Sequence, residues 1–444
     1  MKILVVKLAD IGDVLTATPA LRSLRESLPE ARIDVLVPPH SKAVLDGSPV
    51  INNTLLFRKG LFDRVSGVLS PGSLVEALSF FLRLRSIGYD SVAIMHHLTT
   101  TWGSYKYAAL ALASGAKVRA GLDNGRGWFL THKAKDDGFG ALHEVEYCLE
   151  VAKLLGAEGR PGPLEIPVGP DHLAYARAVL PDKRPIVAIH PGSGAYSTAR
   201  RWPLESFAAL AELLSRGGAY VLVVGGPGEE GLADYVARRV PGPHLNVAGK
   251  TNVGQLAALL GRCDAFIGSD SGVMHIATVV ATPVVAIFGP SNHKAWGPWI
   301  PDGGKDKSLE NTAIPAGRTA LPVLPPEEGP ETCPERRHEA LEGQGRRGTP
   351  PVPAVLPGKD EERSQPPFLY PQDTGAARRG GSMVVRRDIP CSPCFYVGLW
   401  LGSPEGCPSR TCLQEISPET VAEATWKMMD VKEKRDVNSW SPSR

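Results

Sequence analysis

The stretch Ile3-Leu4-Val5-Val6-Lys7-Leu8-Ala9-Asp10-Ile11-Gly12-Asp13-Val14-Leu15 decides the fold. A short apolar run reads as a strand covered on both faces, a small loop with one glycine follows, and a helical pattern then runs to near Leu28. The unit recurs along the chain. Apolar runs at Ile33 to Val37, Val92 to Met95, Ile186 to Ile189, Tyr220 to Val224, Ala265 to Ile267 and Val284 to Ile287 alternate with helical patterns. Among these are Ser206 to Leu214 and Val253 to Leu260, the latter with apolar residues at i, i+3, i+4 and i+7. Such alternation is the signature of an α/β protein built on parallel sheets with helices on both faces.

The Gly- and Pro-bearing stretch Gly156 to Pro170 divides the pattern into two doubly wound units and reads as a linker. We therefore expect one domain over residues 1–160 and another over 171–302 plus 384–430. Between the two parts of the second domain the pattern fails. From Gly303 to Met383, 24 of 81 residues are Pro or Gly, a composition in the low-complexity range. This segment is expected to be a disordered insertion. After it, Pro418 to Met429 reads as a helix with Ser417 as N-cap, and Asp430 to Arg444 as a polar tail.

The whole chain of 444 residues, 43% hydrophobic and 22% charged with a formal charge of +2, is globular in composition. It lacks the basic excess of a nucleic-acid binder. The opening apolar run is shorter than a signal-peptide core, and no stretch approaches a membrane span, so the expected location is cytoplasmic. Four of seven cysteines, Cys391, Cys394, Cys407 and Cys412, fall in one window. Their spacing permits a structural zinc site as well as simple packing or partial oxidation.

Ligands of open α/β sheets gather at the carboxyl ends of strands, and four loops there carry chemistry. Asp13, after Gly12, is placed to cap a helix, to accept a hydrogen bond from a substrate hydroxyl, or to act as a general base. His190-Pro191-Gly192-Ser193-Gly194 followed by Arg200 and Arg201 combines small residues, a helix start and a guanidinium fork, the elements of a diphosphate site. Glu229, in Gly225-Gly226-Pro227-Gly228-Glu229, matches the two hydroxyls of a ribose. Asp270 can bind sugar hydroxyls or serve in a plain helix cap, and the N–H groups of Ser271 and Gly272 open a helix where phosphate would sit. His275 reads as a hydrogen-bonded core histidine. The Asp13 loop, with a single glycine, is no G-x-G-x-x-G fingerprint, and the His190 loop is no Walker loop.

Taken in order, Ile11-Gly12-Asp13-Val14, His190-Pro191-Gly192-Ser193 with Ala199-Arg200-Arg201-Trp202-Pro203, Gly225 to Glu229, and Ser269-Asp270-Ser271-Gly272-Val273-Met274-His275 closely resemble the heptosyltransferases of glycosyltransferase family 9. The cysteine-rich ending resembles many members too. The resemblance implies a GT-B fold, two Rossmann-like domains facing across a cleft, and metal-independent inverting transfer from a nucleotide sugar, typically ADP-heptose, with no cofactor. The acceptor it implies is a lipid-linked core oligosaccharide of lipopolysaccharide, met by peripheral contact with the cytoplasmic membrane face.

By position, Asp13 would be the base and Arg200, where members commonly carry Lys, would stabilise the departing diphosphate. Gly192, Ser193, Glu229, Asp270, Ser271, Gly272 and His275 would surround the donor. Lys42, Arg58, Lys59 and Arg64 are candidates for meeting an anionic acceptor, and a solvated basic surface explains them equally well. The alternatives are another nucleotide-sugar donor, a protein acceptor, or a catalytically silent scaffold. The residues from Gly303 to Met383 depart from the family, whose members pass almost directly from a Trp-Gly-Pro stretch to an Arg-Arg-Asp-Leu-Pro-Cys stretch.

Overall fold

The computed structural model describes residues 1–57, 71–159, 161–194, 197–301, 369–373 and 381–438. The first unit runs β1 (Lys2–Val6), α1 (Ile11–Ser27), β2 (Arg32–Val37), β3 (Asn53–Leu56), α2 (Pro71–Ile87), β4 (Ser91–Ile94), α3 (Thr101–Ala113), β5 (Val118–Asp123), β6 (His132–Lys135) and α4 (Glu144–Lys153). The second begins α5 (Pro170–Val179), β7 (Ile186–His190), α6 (Leu204–Arg216), β8 (Tyr220–Val223), α7 (Glu230–Ala237), β9 (His244–Asn246) and α8 (Val253–Leu260). It continues β10 (Ala265–Ser269), α9 (Gly272–Val279), β11 (Val284–Phe288), α10 (His293–Trp296), β12 (Leu369–Asp373), β13 (Gly381–Arg386), α11 (Thr411–Gln414) and α12 (Pro418–Asn438).

Each unit is a parallel sheet with the same strand order. The first is β3-β2-β1-β4-β5-β6, and the second contains β9-β8-β7-β10-β11-β13 with β12 added antiparallel at its edge. Both reproduce the doubly wound order whose switch point lies between the first and fourth strands. The crevices therefore open beyond Val6 and Ile94 in one domain and beyond His190 and Ser269 in the other. Register fixes those ends level with each other: Val6 stands opposite Ile94, and His190 opposite Gly268.

Central strands are buried on both faces, as in β1 and β10, which is why they read as unbroken apolar runs. The apolar core is divided by the sheets. One cluster joins Leu4, Val6 and Val92 to α2 and α3, a second joins Val187 and Val221 to α6, α7 and α12, and the largest passes from one domain to the other. The linker is docked: Leu164 is buried, Arg22 of α1 donates to both Glu165 oxygens through Nε and one Nη, and Trp299 donates to the Gly162 carbonyl at 3.0 Å.

All seven expected strands form. β13 starts at Gly381, three residues ahead of the expected resumption at Val384, and pairs in parallel with β11. Most of the segment 303–383 lies outside the described residues. The last helix keeps its expected start, with Ser417 accepting from the Thr420 amide at 3.2 Å. It continues to Asn438 rather than stopping near Met429. The added turns carry Lys, Glu and Arg, which are good helix formers.

Candidate active site

Asp10, not Asp13, is the N-cap of α1, and its side chain makes no capping bond, pairing instead with His40 at 3.0 Å. Asp13 sits third in the helix, half-buried in the first turn. The capping reading of Asp13 therefore does not hold. Across the domain boundary α9 is capped by Ser271, whose hydroxyl accepts from the Met274 amide. The two helix starts abut. A side chain on Gly12 would stand 2.9 Å from His275 Cδ2 and 3.3 Å from the Gly272 Cα, so glycine at 12 and 272 permits this approach. Two helix N-termini, each with partial positive charge, thus converge on one cleft.

His275 is buried with its Nδ1 lacking a hydrogen-bond partner. Burial pushes its pKa down to about 4 against the opposing pull of Asp270. At neutral pH it is an uncharged ring under Gly12. The hydrogen-bonded core histidine read from the sequence is buried as expected, but its Nδ1 is unbonded.

Arg200 ends a short turn after β7. One Nη donates to Asp270 at 3.1 Å and the other to the Ser193 carbonyl at 3.1 Å. Burial works against its charge, and Asp270 foremost, with Tyr396 and Asp13, outweighs that. Asp13 therefore acts electrostatically on Arg200 from the opposite domain. Tyr396, whose φ of 57° is unusual for a non-glycine residue, packs its ring on Phe139 and Trp296. Its carbonyl accepts from Asn292 at 3.0 Å. Around it Phe139 donates to the Gly398 carbonyl at 2.6 Å, and His143 bonds the Gly297 carbonyl at 2.9 Å, closing one side of the cleft.

Glu229 organises the other half of the site. One oxygen accepts from the amides of Ser193 (3.1 Å) and Gly194 (3.0 Å), the other from the Gly226 amide (2.9 Å) and His190 (2.9 Å). His190 bonds Ser271 with its second nitrogen at 3.2 Å. A Cβ at Gly192 would collide with the Glu229 carboxylate, so glycine is required there. Burial alone would raise the Glu229 pKa, but His190 and the backbone amides of Gly226 and Gly194 overcome it and bring it to about 2.

A carboxyl group whose folded pKa is depressed stabilises the fold above its unfolded pKa and loses that contribution as pH falls through the folded one. Relative to Glu229→Gln, the native protein should therefore be more stable by on the order of 3 kcal/mol above pH ~4.5, the gap closing toward pH ~2. Denaturant unfolding of both proteins across that range checks it; a gap independent of pH would show that Glu229 acts only by shape.

The cysteine stretch braces this loop. Ser197 donates to the Pro404 carbonyl at 2.6 Å, Arg410 reaches the Thr198 carbonyl, and Trp202 donates to the Ile416 carbonyl at 3.1 Å. Cys391, Cys394, Cys407 and Cys412 line one cavity of about 500 Å³ that also touches Ala199. Burial first, then the neighbouring sulfurs, push the Cys412 thiol up to about 12. Among the described residues no three His, Cys, Asp or Glu side chains are arranged to hold a metal ion.

Of the basic candidates for the acceptor, Lys42 is paired with Asp46 on the surface, and Arg58, Lys59 and Arg64 lie outside the described residues. The sequence reading missed His97, Asp136 and Glu144, a buried hydrogen-bonded cluster of the N-terminal domain. The available signal was position: His97 follows the expected strand Val92 to Met95 at its carboxyl end.

Two doubly wound domains of the same strand order, with the helix starts beyond their switch points abutting, make up the GT-B fold. The model of glycosyltransferase family 9 (heptosyltransferase) matches residues 77–311, and the chain belongs to that family. It is 29% identical over 342 residues to lipopolysaccharide heptosyltransferase 3 of Escherichia coli, covering 71% of this chain and 92% of that one. It is 26% identical over 306 residues to lipopolysaccharide heptosyltransferase 2 of Salmonella typhimurium, covering 66% and 84%. Among solved structures, a family 9 glycosyl transferase from Veillonella parvula superposes with a TM-score of 0.57 at 25% identity, covering 67% of this chain and 83% of that one. The E. coli ADP-heptose heptosyltransferase II gives 0.54 at 24% identity, with coverage of 67% and 88%. No helix among the described residues is long and apolar enough to cross a membrane.

Proposed function

We propose that the protein transfers heptose from ADP-heptose to the inner core of lipopolysaccharide, inverting the anomeric carbon and needing no metal ion or cofactor. The observation that carries this reading is the close approach, at Gly12 and Gly272, of the start of α1, which bears Asp13, to the start of α9, which follows the Asp270 bonded by Arg200. Asp13 takes the proton of the acceptor hydroxyl as that oxygen attacks the anomeric carbon. The bond to the diphosphate breaks on the opposite face, so configuration inverts and ADP leaves. Arg200 and the N–H groups at Ser271 and Gly272 receive the charge that develops on the diphosphate, Asp270 orients the donor sugar, and His275 lies beside the phosphates. Glu229 and the Gly192-Ser193 loop shape the nucleoside end. Because fixed cationic groups already face the leaving group, transfer should proceed in the presence of a chelator.

The deciding assay follows ADP release and product stereochemistry with ADP-heptose and a core-oligosaccharide acceptor, with and without EDTA. Turnover with a UDP-sugar and none with ADP-heptose would overturn the donor assignment.

The acceptor is lipid-borne, and the rim of the N-terminal domain is suited to a membrane surface. On α3 the outward positions 102, 105, 109 and 112 are all apolar, with Trp102 50% and Tyr105 56% exposed; Trp128, 59% exposed, has its ring 6.2 Å from that of Tyr105. Tryptophan and tyrosine favour the membrane interface. The double variant Trp102→Ala/Trp128→Ala is expected to bind vesicles containing anionic lipid several-fold less than wild type, with turnover of a deacylated acceptor retained. Equal sedimentation with vesicles would rule this rim out as the contact.

A further inference from the structure

His190 closes β7 at the switch point of the second domain, and none of the roles above uses it. It is 1% exposed, and both ring nitrogens are occupied: Nε2 meets a Glu229 oxygen at 2.9 Å, and Nδ1 meets the Ser271 hydroxyl at 3.2 Å. The two partners belong to different strands. In the sheet β7 lies between β8 and β10; Glu229 ends the loop after β8, and Ser271 caps α9 after β10. A side chain at the end of the middle strand thus spans the loops of both neighbours. Gly268, opposite His190 in the register, makes room for it, since a Cβ there would stand 3.3 Å from the His190 Cβ and 2.8 Å from the Phe266 ring.

The hydrogen bonds assign the tautomer. The Glu229 carboxylate only accepts, so Nε2 carries a proton and donates to it. Ser271 already accepts from the Met274 amide as the cap of α9, which leaves its hydroxyl hydrogen for Nδ1. The ring with a donating Nε2 and an accepting Nδ1 therefore satisfies every group of the bridge. Each end of the bridge lies one step from a group that holds Arg200. The other Glu229 oxygen accepts from the Gly194 amide at 3.0 Å. That amide shares a peptide plane with the Ser193 carbonyl, which accepts from an Arg200 Nη at 3.1 Å. Because the plane is rigid, the carboxylate sets the direction of the carbonyl. At the far end Ser271 follows Asp270, which takes the other Nη at 3.1 Å. The contacts close into a circuit running from His190 through Glu229, the Ser193–Gly194 peptide, Arg200, Asp270 and Ser271 back to His190.

We propose that His190 is a positioning residue of the donor site, a strut that sets the separation of the Ser193 carbonyl and the Asp270 carboxylate between which the Arg200 fork is held. The proposal rests on the reading that Arg200 meets the donor diphosphate. With both nitrogens occupied and the residue buried, the ring itself does not touch substrate; it acts through Glu229 and Ser271. The fold has other ties at the same place. Without the ring, Glu229 keeps three backbone amides, those of Ser193, Gly194 and Gly226. The Trp202 amide still donates to the Ser269 hydroxyl at 3.2 Å, joining the Arg200 turn to β10. Loss of the strut should therefore loosen the spacing of the two loops more than it unfolds the domain.

The test compares wild type, His190→Ala and His190→Gln by calorimetric titration of ADP and by kcat and KM with ADP-heptose and a soluble acceptor, with circular dichroism reporting the folded fraction. A loss of folded protein lowers kcat at an unchanged ADP affinity, whereas a misplaced fork weakens ADP binding in folded protein. His190→Ala should weaken ADP binding and lower kcat/KM for ADP-heptose by up to about 100-fold, the cost of a misplacement of about 1 Å, with the acceptor KM near wild type. His190→Gln keeps a donor where Nε2 stood and should recover part of the loss. Ser271→Ala should cost ADP affinity several-fold in wild type and less in His190→Gln, which has already lost that contact. A folded His190→Ala with wild-type ADP affinity and kcat/KM overturns the proposal. If His190→Ala does not fold, an equal cost of Ser271→Ala in the wild-type and His190→Gln backgrounds does so. Arg200→Ala separates the two claims: unchanged ADP affinity and kcat in that variant remove the diphosphate reading itself, whereas a defective Arg200→Ala beside indifferent His190 variants removes only the role of His190.

Discussion

Asp13→Asn is expected to lower kcat by about 10²–10⁴-fold, the usual contribution of a general base, while the affinity for ADP stays close to that of wild type. Asn preserves the shape and the helical position of Asp13 but cannot take a proton. The donor site is built almost wholly from the other domain, so its binding should be insensitive to the change. Steady-state ADP release together with calorimetric titration of ADP measures both quantities. A variant that transfers at the wild-type rate would show the acceptor hydroxyl to be deprotonated elsewhere. Asp13→Ala should behave alike in rate, because the loss is of basicity.

The second large effect is expected at Arg200. Removing a preorganised group that meets developing charge typically costs about 10²–10³-fold in kcat, and Arg200→Ala should fall in that range. It should also loosen the site, because Asp270, 4% exposed, loses its partner and stays buried. Arg200→Lys is the more informative variant. It restores the charge, yet a single ammonium cannot hold both Asp270 and the Ser193 carbonyl as the guanidinium does. Partial recovery of kcat with weaker donor binding is expected. Full recovery would mean that charge alone matters, and no recovery that the fork geometry is indispensable.

The doubly wound architecture was legible because the central strands are covered on both faces and must be apolar throughout. The strands not seen in the sequence have reasons of their own. β3, β6 and β9 lie near or at sheet edges, with the polar sequences Asn53–Leu56, His132–Lys135 and His244–Asn246, and such strands blunt their own exposure. β5 carries Arg119, Gly121 and Asp123 between its apolar residues. The four loops of the site were legible because each follows an easily read strand. What escaped was partnership. Glu229 with His190, Ser193 and Gly194, Asp270 with Arg200, and His97 with Glu144 are pairings between residues 35 to 70 positions apart, and no local pattern carries them. The N-cap of α1 failed for a local reason: Asp10 and Asp13 both precede or open the same apolar run, and only the backbone distinguishes them.

One connection has a practical side. β11 and β13 are adjacent strands in register, yet about 90 residues separate Phe288 from Gly381. The entropy of closing a loop grows only with the logarithm of its length, about 0.6 kcal/mol per doubling. The sheet is thus nearly indifferent to how much chain the crossover carries, provided the last parallel strand can return to its slot. That makes the crossover a natural port for splicing in a fluorescent reporter or an affinity module, since cargo added there leaves all four motif loops on their own strands.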